Sequence, residues 1–211
     1  MKTARKVLMI ALCAVLLVSI SVMGTMAYLT SQDSVKNTFT VGNVKITLDE
    51  LDVDNDSNTE DNVQYGEGEN ATIRDRANAY KLMPGHTYTK DPIVHVDDKS
   101  EDCYLFVVVS NQIADIEAAP TVATQMDTKG WKAVDAAKGI YVYGNPAAPT
   151  AVTAGSNVSV FDNFGIKGDV TNTQLAGYDN GTITVTAYAI QAAGFEGKTA
   201  SKIWTAANFA A

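Results

Sequence analysis

Two histidines, one cysteine outside the amino-terminal apolar run and a dense series of acids are the residues of this 211-residue chain that suggest chemistry. A zinc peptidase needs close-set ligands and a general base, most often as His-Glu-x-x-His on one helical face. His86 and His95 stand in no such motif. They share a site only if two strands bring them together with Asp91 or Asp97 as a third ligand. The plainer reading makes His86 an exposed turn residue and His95 a surface residue of a strand, since a catalytic centre needs its ligands and base together. Cys103 opens an apolar stretch, where a thiol is a small, inert core residue. No Gly-x-Ser-x-Gly elbow and no phosphate-cradling glycine loop occurs. No catalytic residue and no bound cofactor is expected.

The acids offer a different chemistry. From Asp49 to Asn70 the chain carries no basic residue, and the composition predicts a solvated acidic loop over 49–70. Asp52, Asp54 and Asp56 stand at the first, third and fifth positions of a calcium loop, followed by Asn58 and Glu60, and hard cations take such oxygen ligands. Ser57 occupies the usual glycine position and Val63 that of the bidentate glutamate. Calcium is therefore the one ion this stretch suggests.

The elements that must carry these residues read as strands. Val44, Ile46 and Leu48 alternate with polar residues, the period of a half-buried strand. Pro84-Gly85 presets a bend and then supplies positive φ, as a type II turn requires. A strand follows over 91–97, with Ile93, His95 and Asp97 on one face and Val94 and Val96 on the other. Cys103 to Val109 is apolar at every position and predicts a strand covered on both faces. Short helical turns are expected over 113–126, broken at Pro120, and paired short strands at 130–134 and 139–144. The prolines and small residues of 145–155 predict a loop, and 157–166 a single strand. Asp179-Asn180-Gly181 is a turn leading into the alternating strand 182–190. A short amphipathic helix over 198–209 sets Ile203, Trp204 and Phe209 against the body. Many short strands between Gly, Pro and Asn turns predict an all-β fold, a single Ig-like or jelly-roll β sandwich with short helical insertions.

Ahead of that domain lies a basic start (Lys2, Arg5, Lys6), an apolar run from Val7 to Met23 and a small-residue exit at Thr25-Met26-Ala27. This pattern predicts a signal helix over 1–27, cut between Ala27 and Tyr28, with residues 28–211 as one domain. If uncut, the same run is an amino-terminal anchor, the chain's one contact with a membrane. Cys13 lies inside the run, so the mature chain keeps a single thiol and cannot close a disulfide within itself. Removing residues 1–27 leaves 13 basic against 24 acidic residues, a balance that repels phosphate backbones and disfavours nucleic acid as a partner.

The junction Gly24-Thr-Met-Ala-Tyr-Leu-Thr-Ser-Gln-Asp-Ser-Val-Lys-Asn-Thr-Phe-Thr-Val-Gly-Asn-Val-Lys-Ile-Thr-Leu48 resembles the start of the camelysin and TasA family of exported bacterial proteins. Lys81-Leu-Met-Pro-Gly-His-Thr-Tyr-Thr-Lys-Asp91 is similar to that family's Pro-Gly turn, and Val185-Thr-Ala-Tyr-Ala-Ile-Gln191 to a closing strand of many members. The middle, 112–155, carries no resemblance. The likeness implies cleavage by a signal peptidase of the SipW type, a jelly-roll-like sandwich and, in some relatives, biofilm fibres. It also brings a metallopeptidase label. The resulting expectation is a secreted, non-enzymatic protein of the cell surface or extracellular matrix that associates with itself or with other matrix proteins. Its assembly segment would be Tyr28–Thr40, with strand formers at Tyr28, Leu29, Val35 and Phe39, pairing either into a neighbour or back onto its own domain. The alternatives are a secreted metallopeptidase and a calcium-dependent adhesin or binding module.

Overall fold

The computed structural model describes residues 3, 5–7, 9, 12–15, 43–54, 63–65 and 72–209. They fall into two units, Met1–Thr40 and Val41–Ala211. In the first, the described residues between 3 and 15 are helical, with Val7, Met9, Leu12 and Val15 exposed. Among the described residues no helix is long and apolar enough to cross a membrane. The expected junction Ala27–Tyr28 and the segment carrying Tyr28, Leu29, Val35 and Phe39 lie outside the described residues.

The second unit is all-β and antiparallel, with a few short helices. Its strands are β1 (Ile46–Leu51), β2 (Val63–Tyr65), β3 (Thr72–Asp75), β4 (Thr87–Thr89), β5 (Ile93–Val96), β6 (Cys103–Asn111), β7 (Trp131–Asp135), β8 (Ile140–Asn145), β9 (Ala148–Pro149), β10 (Ala151–Val152), β11 (Asn157–Ser159), β12 (Asn163–Gly165) and β13 (Ile183–Gln191). Helices α1 (Val122–Thr128), α2 (Asn172–Leu175) and α3 (Ala200–Ala207) punctuate them. One sheet has the order β11-β5-β1-β3-β2. The other is built on β6, with β13 along one side and β10 and β8 along the other, then β7 beyond β8. β12 pairs with β4 apart from both.

The apolar run of β6 explains the layering. Cys103, Leu105 and Val107 share a core with Val94 and Val96 of β5, so the two sheets pack face to face. Tyr104 and Phe106 point the other way, into a second cluster with Ile203 of α3, where Trp204, Tyr188 and Phe209 pack around Phe106. The strand is apolar on both faces because a sheet covers one and a helix the other. Trp131 ties the layers, its indole N–H donating to the Ser159 carbonyl at 2.9 Å. The Pro84-Gly85 turn closes as expected, with Gly85 at φ 73° and the His86 N–H on the Met83 carbonyl at 3.3 Å.

Three expectations are corrected. Residues 145–155 are not a continuous loop, since β9 and β10 pair there with β8 and β6. Residues 157–166 form two strands, β11 and β12, which belong to different sheets. The acidic loop does not begin at Asp49: β1 runs to Leu51 and buries both Asp49 and Glu50, and β2 lies inside the supposed loop. Composition misled at Asp49 and Glu50 because basic partners from other elements neutralise them there.

Candidate functional site

The longest unpaired backbone edge among the described residues belongs to β13. In the β6–β13 ladder Gln112 N–H donates to the Thr182 carbonyl at 3.0 Å, and Ala192 N–H to the Asp102 carbonyl at 2.7 Å. The register between them is unbroken, so even-numbered residues of β13 bond β6 and odd-numbered ones turn away. The N–H and C=O groups of Ile183, Val185, Ala187 and Ala189 thus point to the free side. β1 has a shorter open edge: Asp97 N–H donates to the Lys45 carbonyl at 3.0 Å. That parity sends the groups of Ile46 and Leu48 away from β5, while β3 takes up pairing only from Glu50. Leu48, Ile183 and Val185 line one cleft of about 1350 Å³, together with Tyr80, Leu82 and Phe164.

Charge is concentrated at the end of β1 beside this cleft. Alternation puts Asp49 on the outer face of its sheet and Glu50 on the core face. On the outer face, Asp49 Oδ1 accepts from Arg74 Nε and lies 3.0 Å from His95 Nε2, while His95 Nδ1 lies 2.6 Å from Asn157 Oδ1. Asp49 Oδ2 is buried without a hydrogen bond. Arg74 Nη2 also donates to the carbonyl and carboxylate of Asp91, at 3.1 and 3.3 Å. Desolvation works to lower the Arg74 pKa, but Asp49 and Asp91 outweigh it and hold the guanidinium above its ordinary value. On the core face, Glu50 accepts from Lys90 Nζ at 2.6 Å and from Asn78 Nδ2 at 3.0 Å. Burial, then the charges of Glu50 and Asp91, push the nearby Tyr80 phenol up.

Of the expected calcium ligands, Asp52 and Asp54 come together with Asp75 of β3, one oxygen of each lying within 4.8 Å of the others. Asp56, Asn58 and Glu60 lie outside the described residues. Asp54 Oδ2 accepts from Ala79 N–H at 2.5 Å, and Asp75 Oδ1 from Arg76 and Ala77 N–H at 2.5 and 3.1 Å, so backbone amides serve this cluster. His86 is exposed in its turn, as expected. His95 is not a surface residue: it is 5 % exposed, because Asp49 and Asn157 satisfy both ring nitrogens. Among the described residues no metal-ligating group includes either histidine. Cys103 is buried as expected, and desolvation pushes its thiol up to about 11.

Sequence reasoning missed Arg74, Asn78, Lys90 and Asn157. One signal was present, since the period of Val44, Ile46 and Leu48 carries on to Glu50 and places a carboxylate on a core face that demands a partner. Compared with family models, curated proteins and solved structures, the chain matches none.

Proposed function

We propose that this chain is an exported structural protein of the cell surface or extracellular matrix, an Ig-like or jelly-roll sandwich that polymerises by strand pairing and acts as an enzyme on no other molecule. The observation that carries the reading is the open edge of β13, whose N–H and C=O groups turn outward at alternate residues and whose Ile183 and Val185 line the neighbouring cleft. Such an edge is a template for another strand unless it is blocked. β13 has no proline, no lysine and no bulge along its length. The occupant is Tyr28–Thr40, freed by a SipW-type peptidase after Ala27 and donated to the next subunit, a head-to-tail contact that propagates instead of closing. The metallopeptidase alternative draws no support from His86 and His95, which stand in separate surroundings.

Electron microscopy of the 28–211 form, with and without calcium, tests assembly directly. Ala187→Pro removes an outward N–H without touching the β6 ladder, a position where an edge strand tolerates proline. The expected result is filaments from the parent form and none from Ala187→Pro or from a variant lacking 28–37, with folded monomer in both. Filaments that persist in either variant overturn the reading.

A further inference from the structure

We propose that Lys90 and Asn78 join in an intramolecular isopeptide bond, formed by the protein itself with Glu50 as the catalytic carboxyl. Lys90 and Glu50 side chains are only 12 % and 6 % exposed, and the two oxygens of Glu50 hold the two nitrogens concerned. Oε2 accepts from Lys90 Nζ at 2.6 Å and Oε1 from Asn78 Nδ2 at 3.0 Å. The rest of the Asn78 carboxamide is clamped as well. Its Oδ1 accepts from Val53 N–H at 2.8 Å, and its Nδ2 also donates to the Leu51 carbonyl at 2.9 Å. These partners fix which end is oxygen and which is nitrogen.

The arrangement supplies each part of an aminolysis. The Val53 N–H polarises the Asn78 carbonyl and stabilises the negative charge that develops on Oδ1. Passage of a proton from Lys90 Nζ to Glu50 Oε2 leaves a neutral amine, whose lone pair attacks Asn78 Cγ. In the tetrahedral adduct Glu50 returns a proton to Nδ2 through Oε1, the Cγ–Nδ2 bond breaks and ammonia leaves. The Nζ–Cγ bond remains as a secondary amide, and the second Nζ proton departs with the ammonia by way of Glu50. No oxidant, metal or further reactant enters the balance. Glu50, Asn78 and Lys90 face the same cleft as Leu48, Leu82 and Phe164, which gives the departing ammonia a way out.

The bond would close residues 78–90 into a covalent loop around the Pro84-Gly85 turn and β4. It gives a lasting crosslink to a domain whose one thiol, Cys103, is buried without a disulfide partner. The inference is independent of filament assembly.

Intact mass and peptide mapping of the folded full-length chain decide it. The expected mass falls about 17 Da below the sequence mass, the loss of one ammonia. Trypsin should leave Lys90 uncut and release Ala77–Lys81 joined to Leu82–Lys99. Glu50→Gln and Lys90→Arg should each restore the unlinked mass, and far-UV circular dichroism reports whether they remain folded. The full sequence mass in the folded parent protein, or an ammonia loss that maps elsewhere, overturns the proposal whatever the variants do. A crosslink persisting in Glu50→Gln overturns the role of Glu50.

Discussion

At the scale of single residues, the chemistry follows from which groups leave water and what meets them there. Cys103 enters the core with no cation beside it, so burial raises its thiol to about 11 and leaves little thiolate at neutral pH. A maleimide or disulfide reagent at pH 7 should label it only as the chain unfolds, and labelling in the native protein at the rate of a small thiol would contradict this burial. Glu117 is 4 % exposed and caps the start of α1 by accepting from Val122 N–H at 2.6 Å. Burial raises its carboxyl above the unfolded value of 4.5, although the bonds from Val122 and Asn111 work against that. An acid raised on folding contributes stability in full below its unfolded value, and that contribution falls as pH rises through the folded one. Glu117→Gln should therefore reduce the loss of stability between pH 4 and pH 7, read from urea midpoints at the two values. An unchanged slope would show that Glu117 titrates as an ordinary surface acid. Cys103 was legible from sequence because its apolar neighbours are contiguous with it, whereas the burial of His95 was not. Its partners Asp49 and Asn157 lie 46 and 62 residues away, and no local pattern reports them.

At the scale of elements, turns and strand neighbours decide what each segment tolerates. Gly139 ends the short helical turn after β7 at φ 66° and lets its carbonyl accept from Val109 N–H at 2.9 Å. A Cβ built there would lie 2.1 Å from the Val109 carbonyl oxygen, a backbone atom that cannot swing aside. Gly139→Ala combines left-handed strain with this clash and should cost more than about 2 kcal/mol, seen as a lowered urea midpoint with little change in the transition slope. A cost below about 0.5 kcal/mol would mean that β6 and β8 part more easily than their pairing implies. The alternation of β13 and the Pro-Gly turn before β4 were readable locally, because side-chain period and turn chemistry are short-range properties. The division of 157–166 was not. β11 and β12 are set apart by Phe161, which is fully buried between them, and the choice of sheet is made by β5 and β4.

At the scale of the whole molecule, the open edge of β13 and the cleft beside it organise the functional reading. Pairing a further strand there would extend the β6 sheet without disturbing the existing ladder. Ala187→Pro is therefore expected to abolish filaments while changing the thermal midpoint of the monomer by only a few degrees, as a cost of about 1 kcal/mol or less would. Loss of both properties together would place Ala187 in the fold's own stability instead of in assembly. The amino-acid sequence by itself determined the all-β class, the doubly covered β6, the amphipathic α3 and the inert thiol, because each rests on composition or period within a few residues. Only the tertiary structure decided that Asp49 and Glu50 belong to a strand, that Asp75 joins Asp52 and Asp54, and that Glu50 bridges Lys90 and Asn78. Those facts depend on partners more than 20 residues distant. Only three-dimensional packing brings them close enough to offset the cost of burying an ion.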